Sequence, residues 1–215
     1  MATQPETGLA TQQQRPTSIA TGNQGLQLRS MDDMWRFANA VVKARLAPKG
    51  MESPEAVLIA LQLGAEVGLT PMASVQNIAV VNNRPSIWGD AMLALCQASP
   101  SFDRTRFKEW IEGEGDKMVA HCQSARVGAP EDHTTFSVAD AKAAGLWGKG
   151  GPWSQYPKRM LAMRARGFSL RNSCADLLKG IISREEAGDI VETVEPISAR
   201  DVDGAQRLLD RIAPP

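Results

Sequence analysis

The chain has 215 residues and balances 24 Lys plus Arg against 24 Asp plus Glu, so its formal net charge is zero. Three scattered cysteines, Cys96, Cys122 and Cys174, lack C-x-x-C spacing, which argues against a disulfide framework and fits buried, reduced thiols in a cytoplasmic protein. No apolar h-region opens the chain and no apolar run reaches the length of a membrane span, so a secretory signal and a membrane partner are not expected.

Residues 1–28 are rich in Gln, Thr, Gly and Pro and are expected to be a disordered tail. The expected globular domain runs from 29 to 195, and 196–215 forms a C-terminal tail with an amphipathic pattern. Ser30, with Asp33 three residues on, predicts a helix start, and Met34, Trp35, Ala38, Val41 and Val42 follow at helical spacing. Ser53-Pro54 predicts a second start, with Gly68 as its C′ residue, and Thr70-Pro71 opens a third, short helix. The apolar period then shifts to two. Ile78, Val80 and Ile87 flank Asn82-Asn83, which predicts a β-hairpin over 77–88. A helix follows from Gly89 to about Ala98. Strand-like runs at Arg104–Ile111, Lys117–Ser124 and His133–Val138 are separated by turn-rich segments, which predicts an antiparallel meander. A short helix at Val138–Ala144 closes at Gly145. The last predicted core helix runs from Pro157 to about Asn172, with proline tolerated in its first turn. The expected fold class is α+β, helices packed on an antiparallel meander and hairpin, with a basic groove beside this last helix.

The zero net charge hides a dipolar layout. Residues 142–184 hold nine Lys or Arg and one acid, Asp176, so this window is +8 and the remainder −8. Within it, Trp147 and Trp153 flank the Gly-rich loop 148–151 that carries Lys149. The helix beyond carries Lys158, Arg159, Arg164, Arg166 and Arg171 without an acid. Cations that neutralise phosphates, beside rings that can stack on bases, are the requirements for holding a nucleic-acid single strand. Arg164 and Arg171 are seven residues apart on one face, and Arg159 and Arg166 seven apart on another, about 140° away. One stripe is expected to line a DNA groove. The other is expected to meet further phosphates or an acidic surface of a neighbouring subunit. Trp153 has two readings, a ring that stacks on DNA or a core residue, and the sequence leaves both open.

The run GPWSQYPKRML with the basic residues after it resembles the signature of phage single-strand annealing recombinases of the RecT and lambda Red-beta superfamily. The stretch GLTPMASVQNIAVVNNRPSIWGDAMLALCQ resembles the hairpin and helix that precede the meander in that family. Glu185-Glu186 matches its acidic turn, so the resemblance covers about residues 53–192. It implies DNA-backbone contacts at Lys158, Arg164 and Arg171, a further basic position at Arg159, and the motif tryptophan at Trp153. It also implies ATP-independent binding and annealing of single-stranded DNA in phage recombination. The implied partners are single-stranded DNA and the annealed duplex intermediate, further copies of the chain in rings or helical filaments, a phage exonuclease and the host single-strand-binding protein. No enzymatic activity and no resident cofactor are expected, Mg²⁺ at most assisting DNA binding.

Other residues carry weaker signals. Arg84 and the Asn82-Asn83 turn are candidates to touch DNA from the hairpin, against turn chemistry alone for the asparagines, and Gln76 and Asn77 are candidates to hydrogen-bond bases or phosphates. Trp88 follows apolar strand positions and is expected in the core. His121 and His133 lie on neighbouring strands without further ligands at metal spacing. No G-x-x-x-x-G-K-[ST] run supports a P-loop ATPase. Glu112, Glu114 and Asp116 form an acidic turn, which leaves a Mg²⁺-dependent nuclease as one alternative. A protein that coats single strands without annealing them is the other.

Overall fold

Serine caps set the helix starts. Ser30 Oγ accepts from the Asp33 amide at 3.1 Å and opens α1, Met31–Lys43; Ser53 Oγ accepts from Ala56 N at 3.1 Å and opens α2, Pro54–Glu66. The structure, a computed structural model, describes residues 20–22, 25–81 and 84–189. Helix α1 buries Phe37, Ala38 and Val41. Trp35, expected on that stripe, sits off it and is exposed, because Phe37 and not Trp35 continues the i, i+3, i+4 row. Gly68 takes φ +88° and ends the α2 segment, and α3 spans Pro71–Asn77.

Strands β3, Ile78–Val81, and β4, Arg84–Ile87, pair antiparallel as predicted, with Ile78 opposite Ile87. The turn pair Asn82-Asn83 lies outside the described residues. Helix α4 covers Gly89–Ala98. The strand expected from Arg104 begins only at Lys108. Asp103 accepts from Thr105 N at 3.0 Å and Arg106 Nε at 2.8 Å, and these bonds wind Arg104–Arg106 into a 3-10 turn. Beyond it, β5 (Lys108–Glu112), β6 (Val119–Ala125) and β7 (Glu131–Ser137) form the antiparallel meander. A capping box of Ser137 and Asp140 starts α5, Val138–Ala143. Then come α6 (Pro152–Gln155), α7 (Pro157–Ser173) and α8 (Ala175–Leu178). Last are β8 (Ile182–Ser183) and α9 (Arg184–Ala187).

The fold class is α+β, with two departures from the sequence reading. Strand β8 pairs parallel with β4, so the hairpin belongs to a three-stranded sheet of order β3-β4-β8. A two-residue strand gives no period to read. At the other end, β1 (Ala20–Gly22) and β2 (Gly25–Gln27) pair antiparallel inside the segment expected to be disordered, and Leu28 packs on the core. Residues 1–19 and the amphipathic stretch after 196 lie outside the described residues.

Two apolar clusters share α7. One gathers Phe37, Met51, Leu61, Ile87 and Met92 around Leu170. The other gathers Ala120, Phe136, Leu146 and Trp153 around Leu161 and Ala165. Small side chains let α7 lie close on the meander. Ser124 Oγ of β6 sits 2.7 Å from Ser169 Oγ and 2.8 Å from Ser173 Oγ, a buried hydroxyl cluster in which each group has a partner. All three cysteines are buried and free. Burial pushes the Cys122 thiol up to about 12. Among the described residues no single helix is long and apolar enough to cross a membrane.

Gly64 lets α2 and α3 touch: a Cβ built there would stand 2.0 Å from Ser74 Oγ and 2.5 Å from Ser74 Cβ. Gly64→Ala should therefore destabilise the fold by about 1–3 kcal/mol despite the better helix propensity of alanine, read as a lower urea midpoint. The same change at Gly167, whose added Cβ would meet Ser183 Oγ at an ordinary 3.6 Å, should cost far less.

Candidate nucleic-acid interface

Helix α7 holds five of the cations that the sequence assigns to DNA binding, and its position between two apolar clusters decides what they do. Arg164 and Arg166 are each only 9% exposed. A guanidinium taken out of water must find carboxylates or remain uncompensated. Two expectations are therefore corrected, Arg164 on a DNA backbone and Arg166 against further phosphates or a neighbouring subunit's acids: each meets acids of its own chain.

The first cluster ties α7 to β5 and α4. Arg166 grips Glu109 through two parallel bonds, Nε to Oε1 and Nη2 to Oε2, both 2.7 Å, and its Nη1 donates to Asp90 Oδ1 at 2.8 Å. This fork-to-fork geometry is the one guanidinium groups favour. Burial works against the Arg166 charge, but Glu109 and Asp90 outweigh it and hold its pKa above the ordinary value. Burial likewise pushes Asp90 up, and Arg166 and Arg159 outweigh it, holding the carboxyl below the usual range. Arg159 Nη2 donates to Asp90 Oδ2 at 2.8 Å from an exposed position. The stripe expected to meet a neighbouring subunit thus turns inward at Arg166.

The second cluster ties α7 to α6 and α9. Arg164 lies 3.3 Å from Asp189 and 4.0 Å from Glu186, with its guanidinium 5.8 Å from the centroids of both Phe136 and Phe168. Arg171 Nη2 donates to Glu186 Oε1 at 3.0 Å and lies 5.4 Å from the Phe168 centroid. Trp153 is 3% exposed, tilts against Phe136, and donates its indole N–H to Asp189 at 2.9 Å. It takes the core alternative, and the stacking alternative has no exposed ring face to use.

The exposed groups lie where the chain enters α7. Lys149 sits on the preceding loop and Lys158 in the first turn, both exposed and without an ion-pair partner among the described residues. Between them Tyr156 is 64% exposed. It is the ring that can meet a base here, and its neighbour in the motif, Trp153, drew the sequence reading instead. Gln76 is exposed on α3 and Arg84 at the start of β4, whereas Asn77 caps its own helix by donating to Ala73 O at 2.9 Å. Trp88, expected in the core, is 42% exposed, with the Arg184 guanidinium 5.1 Å from its ring centroid. It follows the last strand residue and starts a helix, so strand alternation no longer governs where it points.

Three further features belong to the meander. Trp110, His121 and His133 stack on its outer face with centroids 4.8–5.3 Å apart, and His121 Nδ1 lies 3.1 Å from His133 Nε2. Asp116 of the acidic turn pairs with Lys142, and Glu112 accepts from the Trp110 indole at 2.8 Å. Among the described residues no group of three or more His, Cys, Asp or Glu is arranged to hold a metal ion.

Arg166→Ala should lower stability by about 2–3 kcal/mol by denaturant unfolding, somewhat less than for a fully buried pair because Glu109 keeps partial contact with water. The Asp90 carboxyl, depressed in the fold, contributes above its unfolded pKa of about 3.9 and loses that contribution as pH falls further, so wild type and Arg166→Ala should converge in strong acid. Trp153→Ala should cost about 3–5 kcal/mol of stability; a variant of unaltered melting temperature would contradict the buried position. Comparison with known proteins adds no name to this geometry: no family model, no curated protein and no solved structure matches the chain.

Proposed function

We propose that this protein binds single-stranded DNA without ATP and anneals complementary strands in phage recombination, acting as an oligomer on DNA inside the bacterial host. The observation that carries the reading is the exposed entry to α7. Within residues 149–159, Lys149 and Lys158 are exposed cations without an acid partner among the described residues, Arg159 shares Asp90 with Arg166, and Tyr156 is an exposed ring. Phosphates would take the lysines and the start of the helix, where backbone N–H groups point outward. A base would stack on Tyr156, which any of the four can do because each has a π face. The protein would thus hold the backbone and leave the pairing edges open, so that sequence is tested by Watson–Crick pairing between strands. The likeness of the GPWSQYPKRML run to single-strand annealing recombinases supports the same activity, along with an exonuclease and a single-strand-binding protein as partners.

Fluorescence anisotropy with short oligonucleotides tests binding, and a two-oligonucleotide assay without ATP separates annealing from coating. If about four phosphates are neutralised, log K should fall with log salt at a slope near −3. Lys149→Ala and Lys158→Ala should each weaken binding to all sequences alike and lessen the slope by about 0.7. Tyr156→Ala should cost about 1–3 kcal/mol of binding with little change in stability. Affinity that ignores salt and both lysines would refute the reading.

A further inference from the structure

Helix α9 is four residues long, yet nearly every side chain on it grips another element. Arg184 covers Trp88 at 5.1 Å. Glu185 Oε2 accepts from Gly89 N at 3.2 Å, where a Cβ on Gly89 would stand 3.3 Å from that oxygen. Glu186 accepts from Arg171 and Asp189 from Trp153, and both face Arg164. Just before it, β8 contributes two paired positions, Ser86 with Ile182 and Ile87 with Ser183. Buried Ser183 and Ala187 anchor its backbone, and polar side-chain contacts supply the rest of the grip, so what holds the acids can be exchanged for another anion.

The receiving side is an anion cradle. Arg171 and the Trp153 indole donate to the two carboxylates, Arg164 lies within ion-pair distance of both, and Phe136 and Phe168 wall the guanidinium groups. The cradle has more donors than these carboxylates satisfy: Arg164 Nε is buried with no acceptor among the described residues. A phosphodiester carries the charge of one of these carboxylates, so two successive phosphates of a strand match the pair, and its tetrahedral acceptor oxygens can reach donors that a planar carboxylate leaves orphaned. Simple opening to water would leave Arg164 in its apolar frame without a counter-charge, whereas exchange of one anion for another keeps it compensated at the end.

We propose that Glu186 and Asp189 are the resting occupants of a phosphodiester subsite, and that a bound DNA strand displaces them and lifts α9 from α7. The proposal rests on the single-strand-binding reading above. The closed clasp keeps the cradle competent for only a fraction of the time, and the apparent affinity is reduced by that fraction.

The test combines affinity and hydrogen exchange on the full chain. Glu186→Gln with Asp189→Asn keeps shape and removes both charges; it should bind a short oligonucleotide on the order of tenfold tighter at fixed salt, within the usual range of site–site coupling. A double variant with the same charge change on other elements, Glu55→Gln with Glu114→Gln, should gain about twofold or less. In wild type, amides of 182–189 should exchange faster once the oligonucleotide is bound. Slower or unchanged exchange there overturns the clasp, and so does a folded double variant of unchanged or weaker affinity. Should the double variant fail to fold, the wild-type exchange alone decides. A wild type that binds no oligonucleotide overturns both the clasp and the function it rests on, whereas binding without a response at 182–189 overturns the clasp alone.

Discussion

Burying a guanidinium is the constraint from which most of this structure follows. Helix α7 lies between two apolar clusters, so Arg164 and Arg166 cannot stay in water. Each must then be met by carboxylates brought from elsewhere in the chain. Glu109 arrives on β5, Asp90 at the start of α4, Glu186 and Asp189 on the segment after β8. These contacts tie three separate elements to one helix. They also fold part of the negative remainder of the chain onto its positive window, which is how a neutral protein accommodates so uneven a charge layout.

The cations of α7 thus divide by depth. Arg166 forms a bidentate bond that fixes the meander against α4, and its removal would strand an acid more than it would open a surface. Arg164 and Arg171 sit at an intermediate level, paired with acids on and just after the short helix α9. Lys158 and Lys149 remain at the surface, beside Tyr156. A strand approaching the helix would meet the exposed lysines first and the clasped arginines second. On the proposed reading, that order would give long-range attraction to flexible, hydrated ammonium groups and leave directional recognition to planar guanidinium groups.

Aromatic residues follow the same division. Trp153, Phe136 and Phe168 are walls of the buried cluster, where rings lower the local polarity and hold guanidinium groups in place. Tyr156 and Trp88 stand at the surface, the latter already covered in part by Arg184. The outer face of the meander carries its own stack of Trp110, His121 and His133, remote in sequence from the basic motif and opposite to the face that α7 covers.

The sequence by itself determined where the backbone turns. Caps at Ser30 and Ser53, prolines at Pro54, Pro71 and Pro157, the helix-ending Gly68 and Gly145, and the change of apolar period around Ile78 are local signals. They placed α1 to α5, the hairpin, the meander and α7 to within a few residues. They failed where a bond between neighbours outcompeted the pattern, as at Asp103, and where an element is too short for any period, as at β8 and α9. The sequence also located the basic segment. Only the tertiary structure decided which of its members are surface and which are struts. Charge counts over a window take no account of acids fifty or seventy residues away, and Glu109 and Asp90 become partners of Arg166 only once β5 and α4 are packed against α7. The same packing sent Trp153 inward and left Tyr156 outside, because the turn between α6 and α7 points adjacent side chains in different directions, and no spacing rule spans that turn.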